Sequence, residues 1–314
     1  MPDAPATPAD AVHPDAPAAD YSVVVIGAGP AGLGAALNIV RARHRTLVLD
    51  ANRPRNAATL HSHGYPTRDG ISPLELRRLG RAELEQYPEA EFENARVTRV
   101  SREGEVFRVE AQGIRGGADR SVTAVSVVVT SGLVERLPAL PTLRAFYGTA
   151  LHSCVMCDGY EESGKPLALI GETDDLAEHA RLLSRWTDDL IVFGPVGEQD
   201  ERELAGRGVR VERRPVADVV GDRSGMTGIL LEDGETVPRT AGFVRPVYEP
   251  ALAYLDGLDA AVDDDGLLVV DGEGRTSVPG LYAAGDSTPP GPQQLIVAAG
   301  SGAKVAAALV RDRL

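Results

Sequence analysis

Aromatic residues are scarce, at 4% with a single Trp, and there are only two cysteines, at positions 154 and 157. So thin an aromatic supply argues against the stacking platforms that bind single-stranded nucleic acid. Two cysteines exclude a disulfide-stapled secreted scaffold and a four-thiolate zinc site. Basic residues are also outnumbered, with 32 Lys and Arg against 46 Asp and Glu and a formal charge of −14. That sign repels phosphate backbones and anionic lipid, so neither nucleic acid nor membrane is expected as a partner. No apolar run reaches the ~18 residues of a membrane helix. Residues 1–20 hold seven Ala, five Pro and four Asp but no Lys or Arg. A signal peptide needs a positive start and an apolar run, so this stretch reads as a disordered acidic leader. The last residues, Val310-Arg311-Asp312-Arg313-Leu314, carry no lipidation or retention signal, and a cytoplasmic location is expected.

What is present is ample apolar material. Hydrophobic residues make up 43% of 314, enough for two domains of ~150 residues each. Tyr21 to Ile26 (YSVVVI) is a β-branched run suited to a buried parallel strand. Gly27-Ala28-Gly29-Pro30-Ala31-Gly32 follows, then an Ala-rich helix to about Arg43 and a second strand, Thr46 to Asp50. In this β-α-β unit Gly27 permits the tight turn and Gly29 lets backbone approach a pyrophosphate at the helix N-terminus. Gly32 allows close packing of helix on sheet, and Asp50 can accept hydrogen bonds from a ribose. The competing reading is a plain turn and helix.

Near the other end, Thr276 to Asp286 (TSVPGLYAAGD) resembles the second FAD fingerprint of flavoproteins with two dinucleotide-binding domains. That resemblance puts Gly285 and Asp286 on the ribityl phosphate side of FAD. It also puts Gln294, Leu295 and the following helix, Ala298 to Leu309, at the flavin pyrimidine end. Val127 to Gly132 (VVVTSG) resembles the strand that closes the FAD domain in the same proteins, which implicates Thr130 and Gly132. The resemblance implies a split FAD domain, residues 21–133 and 243–314, around an inserted α/β domain, 134–242.

The cysteines open that insert, in His152-Ser153-Cys154-Val155-Met156-Cys157-Asp158-Gly159-Tyr160. Thiols at this spacing can close a small disulfide loop, and Asp158 can move a proton during thiol–disulfide exchange. The alternatives are a metal site, for which no second cysteine pair exists, and buried inert cysteines. Two FAD fingerprints around an insert opening with Cys-x-x-Cys-Asp-Gly resemble the low-molecular-weight thioredoxin reductase family over residues 20–314. That implies two doubly wound three-layer α/β domains, a homodimer, Cys157 against the flavin and Cys154 facing the substrate, with Asp158 as acid/base.

The sequence also departs from the reductase pattern. Where reductases carry a second Gly-rich turn for NADPH, this chain has Gly171-Glu172-Thr173-Asp174-Asp175-Leu176-Ala177. Three carboxylates there are expected to repel phosphate, or else to cap the next helix. No basic cluster follows Ile191-Val192-Phe193-Gly194-Pro195. Arg53-Pro54-Arg55-Asn56, His61-Ser62-His63-Gly64, Arg68-Asp69-Gly70, Pro73 to Leu76, Gly80-Arg81 and Trp186-Thr187-Asp188-Asp189 resemble the flavin-dependent dithiol oxidases of natural-product pathways, of the gliotoxin, holomycin and romidepsin type. Those commonly have His where Asp158 stands.

The expected activity is therefore FAD-dependent oxidation of a small-molecule or peptide dithiol, with O2 as acceptor and H2O2 as product. The rivals are a disulfide reductase fed by NADPH or another donor such as ferredoxin, and a non-catalytic flavin-binding protein. Without NADPH, a fixed domain arrangement is expected. His61 and His63 read as loop-packing or surface residues, with a proton shuttle as the alternative. His152 either raises the thiolate population or merely ends a strand. His13 falls in the leader and His179 on an exposed helix. Asp263-Asp264-Asp265-Gly266 reads as a hairpin turn, and Arg207, Arg210, Arg213 and Arg214 as a solvated basic face.

Overall fold

A computed structural model describes residues 18–289, 291 and 293–314. In chain order the first elements are β1 (Tyr21–Ile26), α1 (Pro30–Arg41), β2 (Thr46–Leu49), α2 (Pro73–Leu84), β3 (Ala90–Glu93), β4 (Ala95–Glu103), β5 (Val106–Gly113), β6 (Arg120–Val129) and β7 (Leu133–Arg136). The middle of the chain forms α3 (Leu143–Phe146), β8 (Leu151–His152), α4 (Val155–Asp158), β9 (Leu167–Gly171), α5 (Leu176–Leu183), β10 (Leu190–Phe193), α6 (Glu198–Gly206) and β11 (Arg210–Glu212). There follow β12 (Val216–Asp222), β13 (Gly225–Leu231), β14 (Thr236–Pro238), β15 (Ala241–Arg245), β16 (Val247–Pro250), β17 (Leu281–Ala283) and α7 (Leu295–Arg311).

Seven strands make the first sheet, in the order β3-β2-β1-β6-β5-β4, with β17 beside β6. β6 serves two neighbours on one side. Its first half pairs antiparallel with β5, and Val127 to Val129 pair parallel with β17. β1 is Val-rich and fully buried at its centre, as a strand covered on both faces must be. One apolar layer lies toward β4 and β5, and a second is built by the alanines of α1 and the buried face of α7. Pro30 opens α1, where a missing N–H costs nothing.

The parallel strands stop level with one another. Ile26 is in register with Leu49 and Val129, and Ala283 with Val129. Hence the turns after β1, β2, β6 and β17 gather at one edge, the C-terminal edge at which open α/β sheets bind ligands.

The second sheet, β11-β10-β9-β15-β8, is parallel throughout. Its C-terminal edge carries Gly171 opposite Arg245 and ends β8 at His152, immediately before the cysteines. An antiparallel sheet of β12, β13 and β14 packs its apolar side chains on this unit. β7 and β16 pair antiparallel into a two-stranded ribbon, so the segments leaving and re-entering the first unit run side by side.

Three boundaries differ from expectation. The insert expected to end at 242 stays in its sheet to Arg245, because β15 pairs with β9 to that point. The last helix starts at Leu295 rather than Ala298. Of the leader, residues 1–17 lie outside the described residues, and Asp20 is anchored, accepting hydrogen bonds from the Thr123 N–H at 2.8 Å and hydroxyl at 2.9 Å. The acidic turn forms as expected, with Asp263 accepting the N–H groups of Asp265 and Leu267. The basic face is exposed to solvent as expected, and Arg207, Arg210, Arg213 and Arg214 each pair there with carboxylates. Among the described residues no helix is long and apolar enough to cross a membrane.

Candidate active site

Cys154 and Cys157 are joined in a disulfide at the start of the one-turn helix α4, which leaves neither thiolate free for a metal. The pair opens onto a cleft. Arg55, Thr59, His61 and His63 reach it from the loop between β2 and α2, and Glu135 from β7. Gln293, Gln294 and Leu295 reach it from the N-terminus of α7, opposite Asp158 and His152. The structure thus brings Cys154, Cys157, Asp158, Gln294 and Leu295 to one cavity, although they come from distant parts of the chain.

The other sequence-selected residues form the edge next to it. Gly27 sits at φ +101°, and a Cβ there would lie 2.5 Å from the Thr130 carbonyl oxygen. At Gly32 a Cβ would run into the Gly27 carbonyl. Gly29 has no heavy atom within 4 Å of a Cβ position, so the backbone there faces open space before the α1 N-terminus. This cradle, with Pro30 and Ala31 on the first turn of α1, fits the pyrophosphate of FAD. Asp50 is buried at the end of β2, where its Oδ1 accepts the Ala28 N–H at 3.3 Å and its Oδ2 pairs with Arg77. Arg77 also donates to the Ala28 carbonyl and to Asn52. Sequence reasoning missed Arg77, because α2 lies 27 residues beyond Asp50 and only the fold joins them.

Thr130 acts on the turn rather than outward. Its hydroxyl lies 2.8 Å from the Ile26 carbonyl oxygen and 3.0 Å from that of Gly27. The Gly132 N–H donates to Ser287, which ties the two segments of the FAD unit together, and the Gly285 N–H donates to Ser301 within the second. Asp286 is held by Arg55 at 2.7 Å, and Arg55 also donates to Gln293 and stacks over Tyr248. Burial disfavours the Arg55 charge, but Asp286, Tyr248 and Glu135 outweigh it and push its pKa upward. Glu135 accepts from the Tyr147 hydroxyl at 2.8 Å and from Ser153 at 3.2 Å. Burial, with that carboxylate, drives the Tyr147 phenol well above its ordinary value.

His61 and His63 line the cleft while bonding within their own loop, and His61 is exposed at the surface. His63 lies between two carboxylates, 3.3 Å from Asp69 and 3.6 Å from Glu161, while Nδ1 of His61 is 3.1 Å from the Gly70 carbonyl oxygen. His152 is buried 3.2 Å from Asp158. His179 is half-buried on α5 and hydrogen bonds the Asp175 carbonyl.

In the turn after β9 the three carboxylates are not equivalent. Glu172 and Asp174 point to solvent. Asp175 alone turns inward, and it neither repels nor caps. It makes no cap hydrogen bond to α5. Its carboxylate takes Arg245 Nε at 2.8 Å and the Thr173 hydroxyl at 2.7 Å. Burial opposes its charge, but these partners win and hold its pKa down at about 2. Arg245 Cβ lies 2.9 Å from where a Gly171 Cβ would be. The Asp175–Arg245 ion pair thus joins the start of α5 to the end of β15 beside this turn. No local signal marked Arg245, which lies 70 residues from Asp175.

A dinucleotide cradle at the end of the parallel strands of one sheet, with a Cys-x-x-Cys disulfide at the edge of a second, defines a flavin-dependent disulfide oxidoreductase. Residues 21–302 match the pyridine nucleotide-disulphide oxidoreductase family, and the chain belongs to it. Its fold is thioredoxin reductase-like and its cofactor is FAD. Similar curated proteins include the thioredoxin reductases of Treponema pallidum, 29% identical over 91% of this chain and 95% of that one, and of Streptomyces coelicolor, 31% identical over 91% of each. Similar solved structures include a putative thioredoxin reductase, TrxB, from Bacillus anthracis, with TM-score 0.86 and 31% identity, covering 93% of this chain and 98% of that one. HlmI has the same TM-score at 36% identity, covering 93% of this chain and 92% of its own.

Proposed function

We propose that this protein is an FAD-dependent dithiol oxidase, closing a disulfide in a small-molecule or peptide natural product with O2 as the final acceptor and H2O2 as product. The observation that carries this reading is the Asp175–Arg245 pair at the mouth of the second nucleotide turn, beside a complete dithiol and FAD apparatus. The resemblance of the 53–81 segment to natural-product dithiol oxidases supports it.

In this reading a substrate thiolate attacks Cys154, the Cys154–Cys157 bond breaks, and Cys157 leaves as the thiolate. The second substrate thiol then displaces Cys154, which releases the product disulfide. Asp158, on the same helix turn as Cys157, exchanges protons with the thiols. Arg55 fixes Asp286 and Gln293 at the side of the cleft. Bound FAD supplies the two-electron acceptor that re-forms the cysteine disulfide and that O2 restores. A homodimer and a cytoplasmic location are part of the same proposal.

Air-saturated enzyme mixed with a small dithiol is expected to consume oxygen and release peroxide. No consumption with any dithiol in a panel contradicts the reading. A second reading, reduction of thioredoxin, is favoured by the names of the curated relatives. Thioredoxin reduced at the expense of NADPH would establish it.

A further inference from the structure

Behind the disulfide lies a row of charged groups that the proposed exchange leaves unassigned. His152 ends β8 and is 8% exposed, with its ring tilted against Phe243 of β15 at 5.9 Å. Nδ1 lies 3.2 Å from Asp158 Oδ1, on the cleft side. Nε2, on the far side, has no hydrogen-bond partner and lies 3.8 Å from Glu162 Oε1. Glu162 is itself buried, 6% exposed, and its other oxygen takes Lys165 Nζ at 2.8 Å. Lys165 is exposed. The groups therefore run from cleft to solvent in the order Asp158, His152, Glu162, Lys165. A buried imidazole with one nitrogen engaged and the other unpartnered costs stability, and a functional role for that nitrogen explains why the cost is borne.

We propose that His152 is a positioning and proton-relay residue acting through Asp158, linking the cysteine cleft by way of Glu162 and Lys165 to the surface. The inference rests on thiol–disulfide exchange at Cys154–Cys157, and it holds in either direction of electron flow. In the exchange a substrate thiol loses its proton, and its sulfur bonds to Cys154 Sγ. The Cys154–Cys157 bond breaks, and Cys157 keeps the electron pair and takes up a proton. When the cysteine disulfide is re-formed, with FAD as oxidant, the pair gives up two electrons and two protons. Each thiol must therefore pass its proton through a group beside the sulfurs, and a path from that group to solvent lets it reset between the two half-reactions.

The groups facing His152 are Asp158 from α4, Glu162 from the turn after it and the Thr149 backbone; Phe243 adds no charge. Burial works against the imidazolium, but Asp158 and Glu162 outweigh it and raise the ring's pKa.

The test is anaerobic reduction of Cys154–Cys157 by dithiothreitol in the holoenzyme. Aliquots are stopped with an alkylating reagent, the added mass is read, and the rate is followed across pH. His152→Asn can still hydrogen bond Asp158 but cannot take up a proton. It is expected to slow reduction about 100-fold and to remove the limb of the pH profile that His152 sets. Glu162→Gln removes a charge that raises the His152 pKa, so it is expected to move that limb to lower pH. Should His152→Asn fail to fold, Glu162→Gln still decides the matter. Wild-type rates and profiles in both variants would overturn the relay, as would a uniformly slow His152→Asn with its limb intact. No oxygen enters the measurement. An unchanged profile sinks the relay alone, and absent oxygen consumption sinks the oxidase reading alone.

Discussion

Cys157 and Asp158 carry the sharpest predictions because each has one job that a neighbour cannot take over. Cys157→Ser leaves Cys154 without a resolving partner, so dithiol turnover is expected to fall by at least about 1,000-fold while the flavin spectrum persists. Retained turnover in a steady-state assay would remove the pair from the chemistry. Asp158→Asn keeps the shape but cannot hold a proton. A loss of about 100-fold is expected, concentrated in the turnover number rather than in substrate affinity. Gly27→Ala tests the cradle instead. A side chain at φ +101°, 2.5 Å from the Thr130 carbonyl, must displace the turn. The purified variant is expected to lose most of its FAD, read as the ratio of flavin to protein absorbance.

At the scale of elements, the turn between β9 and α5 and the end of β15 are locked by Asp175 and Arg245. Asp175 has a folded pKa of about 2, below its ordinary 3.8. A depressed carboxylate pKa stabilises the fold above the unfolded value, and that stability disappears as pH falls through the folded one. After discounting for solvent screening the pair is worth about 1 kcal/mol. Asp175→Asn should therefore lower the urea midpoint at neutral pH and match wild type below about pH 2, if the fold survives there. Equal midpoints at neutral pH would mean the pair contributes nothing. The same lock explains what sequence could not supply. The motif after β9 showed the replacement of a glycine by Thr173 and the gain of carboxylates, and so the departure from the reductase pattern was legible. The agent was not, because Arg245 reaches the turn only through the parallel pairing of β15 with β9. Arg77 on Asp50 is the same case on the first sheet. Local signals did give β1, α1 and β2 to within two residues, since a buried Val run and a Gly turn are contiguous in the chain.

Across the whole molecule, the two sheets bring their C-terminal edges to the cleft or beside it. The first unit contributes Arg55 and the Gln293–Leu295 segment, with the Gly27–Gly32 turn next to it, and the second contributes His152 and the cysteines. Proximity of the thiols to the flavin fingerprints was legible from the family resemblance. The cleft's histidines were not, because loop 59–71 is placed by tertiary contacts such as His63 with Glu161 rather than by any periodic pattern. The central claim is that electrons enter from a dithiol and not from a pyridine nucleotide. It is tested most directly by anaerobic titration of the holoenzyme, first with NADPH and then with a small dithiol, following the oxidised flavin band. The structure of the β9 turn predicts no bleaching with NADPH and full bleaching with the dithiol; bleaching by stoichiometric NADPH would contradict it.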